Sequence, residues 1–132
     1  MTQATQAPKY LVPPCIERGD GEGPAIELGT LRGKLVRITV GINDVLEQEG
    51  LAVSVWGSPN GIDWGVAPLL SLPRKSYCGD YHAFINLAKH PATRFLRAEW
   101  RMSRWGKRES GLMFGFYIAA DEARSHIAAA VA

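Results

Sequence analysis

The side chains best suited to recognising something are four tryptophans and one run of cations. The tryptophans are Trp56, Trp64, Trp100 and Trp105. The basic residues between positions 94 and 108 are Arg94, Arg97, Arg101, Arg104, Lys107 and Arg108, opposed there only by Glu99. An exposed indole can stack on a sugar ring or anchor a protein interface. Guanidinium groups around Trp105 could grip phosphates beside a stacked base. They could equally anchor a protein partner, or coat a solvated hairpin. Lys+Arg 15 against Asp+Glu 13 leaves a net charge of +2, too small for a general polyanion binder. Nucleic acid is therefore not expected as the partner.

Patterns that would do covalent or metal chemistry are missing their second halves. Cys78 lies near His82 in Cys78-Gly79-Asp80-Tyr81-His82, but no nucleophile elbow or cysteine-hydrolase signature surrounds it. Cys78 reads instead as a small buried residue at a strand start. His82, His90 and His126 show neither HExxH nor i,i+4 spacing. Gly19-Asp20-Gly21-Glu22-Gly23 has no GK[ST] ending and opens no helix, so it reads as a flexible turn rather than a phosphate loop. Arg18-Gly19-Asp20 spells an adhesion tripeptide that arises by chance. The expectation is a non-enzyme with no metal and no cofactor.

Short alternating segments would carry these residues. Val36, Ile38 and Val40 share one face of residues 34–40, with Arg37 and Thr39 opposite. Leu51, Val53 and Val55 point inward and Ser54 and Trp56 outward along 51–57. Ser58-Pro59-Asn60-Gly61 is a strong turn signal. Residues 65–72 form another strand candidate, with Pro68 at an edge or bulge. Tyr81, Ala83, Ile85 and Leu87 align on one face. Leu96, Ala98, Trp100 and Met102 alternate with Arg97, Glu99 and Arg101, which places Trp100 in the core. Phe114, Phe116 and Ile118 come together in the last strand. Strands separated by turns, with no helix between them, predict an antiparallel β-sandwich.

The ends read differently. Pro8, Pro13, Pro14 and Pro24, with Gly19, Gly21 and Gly23, predict an extended arm over residues 1–24. Tyr10, Leu11, Val12 and Ile16 would dock that arm on its own sheet edge or on a neighbouring subunit. Residues 25–120 would be the sandwich. Residues 121–132, Ala-rich with Asp121 as N-cap, predict a short helical tail.

A chain of 132 residues is one ordinary domain, long enough to bury a core without staples. Gly 14 and Pro 8 suit a turn-rich β protein. No cationic and apolar leader marks the start, so a protein made in the cytoplasm, with no membrane span, is expected. Cys15 and Cys78 then read as two free thiols.

Residues 51–64, Leu-Ala-Val-Ser-Val-Trp-Gly-Ser-Pro-Asn-Gly-Ile-Asp-Trp, resemble the strand and "S-x-D/N-G-x-x-W" turn of β-sandwich modules. Gly79-Asp80-Tyr81 and residues 93–100, Thr-Arg-Phe-Leu-Arg-Ala-Glu-Trp, are similar to their later strands. The pattern occurs in discoidin-type domains and in jelly-roll virion proteins of bacteriophages. The second type, with its extended arm, fits this chain better. The resemblance implies a jelly-roll sandwich with a structural, assembly role, as a homo-oligomer or with an assembly partner protein. Contacts would run through Tyr10, Leu11, Val12, Ile16, Trp56, Arg101, Arg104, Trp105, Lys107 and Arg108. The alternative is a carbohydrate-binding module presenting Trp56, Trp64 or Trp105 to a glycan.

Overall fold

The computed structural model describes residues 8–46, 48–105 and 112–123. Among them lie nine strands and no α-helix. The strands are β1 (Lys9–Glu17), β2 (Gly21–Glu22), β3 (Ile26–Glu27), β4 (Leu35–Val45), β5 (Glu49–Ser58), β6 (Leu70–Lys75), β7 (Gly79–Asn86), β8 (Phe95–Arg104) and β9 (Phe114–Glu122). Two antiparallel sheets result, ordered β1-β9-β4-β7 and β2-β8-β5-β6, with β3 also on β8.

The expected alternation decides which faces meet. Val36, Ile38, Val40, Phe114, Phe116 and Ile118 of the first sheet are buried, as are Leu51, Val53, Val55, Leu96, Ala98 and Trp100 of the second. They form one apolar cluster, so the sheets lie face to face in a sandwich-like arrangement. Trp100 packs edge-on against Phe116 across it, ring centroids 5.4 Å apart.

Three expectations about elements need correcting. Of the expected arm, residues 9–17 take the own-sheet alternative so fully that they are the sandwich's first strand, paired with β9 from Lys9↔Ala120 to Glu17↔Phe114, rather than a segment apart from it. Pro13 and Pro14 are tolerated because β1 is an edge and its register shifts around them. The sixth strand begins at Leu70 rather than Gly65, because Gly65 (φ +74°) and Pro68 keep the preceding segment out of the ladder. Asp121 opens no helix: it and Glu122 end β9, where Arg37 holds the Asp121 carboxylate through two bonds of 2.8 and 3.2 Å. Residues 124–132 of the expected tail lie outside the described residues.

Candidate interaction site

Residues 18–23, read above as a flexible turn, are fastened to Trp100. The Trp100 Nε1–H donates to the Gly19 carbonyl (3.0 Å), and Asp20 Oδ1 accepts from the Met102 amide (2.7 Å). A Cβ on Gly21 would fall 2.6 Å from the Trp100 ring, so only glycine permits this approach. The adhesion-like tripeptide is thus occupied in covering a core tryptophan.

The turn after β5 satisfies itself. Ser58 Oγ, buried, accepts from the Asn60 and Gly61 amides, and Asn60 Oδ1 accepts from Ile62 and Asp63. Gly61 supplies the φ of +80° that closes it. The turn delivers Trp64 onto the outer face of the second sheet, where the Arg97 guanidinium lies 4.5 Å from the ring centroid. Glu22 holds the other side of Arg97 at 3.2 Å. Trp56, expected to be exposed, is half-buried beside them: its β5 position faces Arg97 across the ladder, and its Nε1–H donates to Ser54 Oγ.

Trp105 lies at the opposite end of that sheet, just past β8, and is 44% exposed. Its amide donates to the Gln48 carbonyl, and the Arg74 guanidinium sits 5.0 Å from its ring centroid. Val45, Leu46, Gln48, Ser76, Tyr77 and Trp105 enclose a concavity of about 370 Å³ there. Tyr77, 78% exposed, is its most accessible aromatic. Next to it Glu49, a buried carboxylate, accepts from the Leu46 and Met113 amides and ties the β4–β5 turn to the approach to β9. Sequence analysis missed Arg74 and Tyr77, although the basic-aromatic run Arg74-Lys75-Ser76-Tyr77 was a usable signal.

The remaining candidates scatter. Leu11 and Val12 are buried at 1% and 5% exposure, because β1 turns them into the core; they are corrected to packing residues. Tyr10 and Ile16 stay exposed on the β1 edge, Tyr10 standing edge-on to Tyr117. Arg101 points to solvent from the outer face of β8, 4.0 Å from Glu99, and Arg104 ends that strand half-buried. Lys107, Arg108 and His126 lie outside the described residues. Cys78 is exposed rather than buried, immediately before β7. Cys15, on β1, sits three strands away from the β7 edge, roughly 14 Å at ordinary strand spacing, so no disulfide can join the two. Burial and, second, the Glu17 charge push the Cys15 thiol up. Among the described residues, no three His, Cys, Asp or Glu side chains stand in a metal-binding group, and no helix is long and apolar enough to cross a membrane. No family model, curated protein or solved structure matches the chain.

Proposed function

We propose that this chain is a non-enzymatic assembly subunit, a jelly-roll sandwich that joins a larger particle, tail or filament through the loop end around Trp105. The strand pairing supports the jelly roll. β1 pairs with β9, β2 and β3 with β8, β4 with β7, and β5 with β6, so the chain nests like one long hairpin rolled into two sheets. That wrapping fits the jelly roll that the resemblance implies for both of its sides, and the arm that favoured the virion-protein side is here strand β1. It assigns fold rather than function.

The observation that carries the assembly role is the Tyr77–Trp105 concavity. Its walls combine apolar side chains with exposed aromatics, and Arg74 sits at its margin, the composition of a protein-contact centre. The glycan alternative has less behind it. Trp64 and Trp105 each already carry a guanidinium over one ring face, and Trp56 is half-buried with its N–H spent on Ser54. The double variant Tyr77→Ala, Trp105→Ala tests the proposal. It should keep the wild-type circular dichroism spectrum and lose higher-order assembly in light scattering. Undiminished assembly, or retention of wild-type protein on a glycan array, would contradict it.

A further inference from the structure

Among the described residues the two sheets have four edges, and three are blunted. β1 contains Pro13 and Pro14 and two register shifts. β6 contains Pro73 and one shift. β2 and β3 are two residues each. β7 is the exception: eight residues, Gly-Asp-Tyr-His-Ala-Phe-Ile-Asn, pair with β4 in unbroken register from Gly79↔Ile42 to Asn86↔Leu35. It contains no proline, no lysine and no bulge, and its one charged side chain, Asp80, accepts from the Tyr117 hydroxyl of its own sheet (3.2 Å).

The register also identifies which backbone groups are open. The Leu87 amide donates to the Lys34 carbonyl, in phase with the β4–β7 ladder. Odd-numbered residues of β7 therefore turn both backbone groups toward β4, and even-numbered ones turn them away. Asp80, His82, Phe84 and Asn86 present N–H and C=O along the edge, and no hydrogen bond from a described residue meets them. Phe84 adds an apolar ring, 43% exposed, on the outer face of the same strand.

We infer that β7 pairs antiparallel with β7 of a second copy, joining the two four-stranded sheets into one. This rests on the assembly proposal and narrows it to one contact, away from the loop end. Only a pairing that sets even residues opposite even residues satisfies both edges. The best-centred such pairing that avoids setting His82 against itself places Ala83 opposite Ala83. Asp80 of each copy then faces Asn86 of the other, a carboxylate against an amide donor, and His82 faces Phe84. No like charges meet, as an isologous contact requires.

Phe84→Pro tests the contact, because the amide it deletes points away from β4 and leaves the ladder intact. Light scattering should give wild-type masses in multiples of twice the 14.4 kDa chain. The variant should show a twofold smaller unit with unchanged circular dichroism. As a check that does not depend on tolerance of proline, Ala83→Cys in a Cys15→Ser, Cys78→Ser background should oxidise to a covalent dimer, since non-hydrogen-bonded cross-strand pairs lie within disulfide reach. Wild-type protein that assembles while Phe84→Pro assembles equally and Ala83→Cys does not cross-link overturns the β7 contact and leaves the assembly proposal standing. A strictly monomeric wild type overturns both. Exchange protection of the Asp80, His82, Phe84 and Asn86 amides in a monomer would show the edge covered by its own chain, and would also overturn the contact.

Discussion

Trp100 is held from three sides: Phe116 edge-on across the core, the Gly19 carbonyl on its Nε1–H, and Gly21 against its ring. Truncating it removes a large side chain of 5% exposure and leaves residues 18–23 with nothing to cover. Trp100→Ala should therefore cost about 3–5 kcal/mol in denaturant unfolding, a large share of a domain's stability. A midpoint close to wild type would place Trp100 outside the core. Its burial was legible because Leu96, Ala98, Trp100 and Met102 alternate with charges. Its clamp was not, since no local pattern links Gly19 to a residue 81 positions later. The same limit hid the fates of Trp56 and Trp64. Strand parity put Trp56 on the outer face, but only the fold brings Arg97 and Ser54 to cover that face.

At the scale of elements, periodicity located the inner strands well, because each must bury one face against the other sheet. β4, β5, β8 and β9 fall where the alternation puts them, and their inward residues are the buried ones. Edges escaped it. The prolines of β1 read as an extended arm and the strand expected over 65–72 lies at Leu70–Lys75, although an edge strand can spare a backbone donor on its open side. β9 runs two residues beyond its apolar stretch because Arg37 pairs with Asp121, a bond between residues 84 apart. One consequence follows from the expected arm being a strand of the fold. Residues 1–24 include β1, with Leu11 and Val12 in the core, so their deletion strips a strand from β9 and uncovers Trp100. The truncated chain should lose its cooperative thermal transition and aggregate. A truncated protein that still melts cooperatively near the wild-type temperature would show that β1 is dispensable.

Across the whole molecule, the two ends of the second sheet differ in how finished they are. At the Trp64 end, Ser58 and Asn60 satisfy the turn amides and Glu22 pairs with Arg97, whose Nε is buried with no hydrogen-bond partner among the described residues. At the Trp105 end, Tyr77 and Trp105 remain open around a concavity next to Glu49. On the flank, no hydrogen bond from a described residue meets the outward backbone groups of Asp80, His82, Phe84 and Asn86 on β7. Two features support the assembly proposal, an open aromatic end and an edge that no described residue covers. Light scattering coupled to size exclusion, with negative-stain images of the same peak, tests this most directly. Multimers of the 14.4 kDa chain with a regular outline are the predicted result. A single monomeric peak at every concentration, with featureless images, would contradict it.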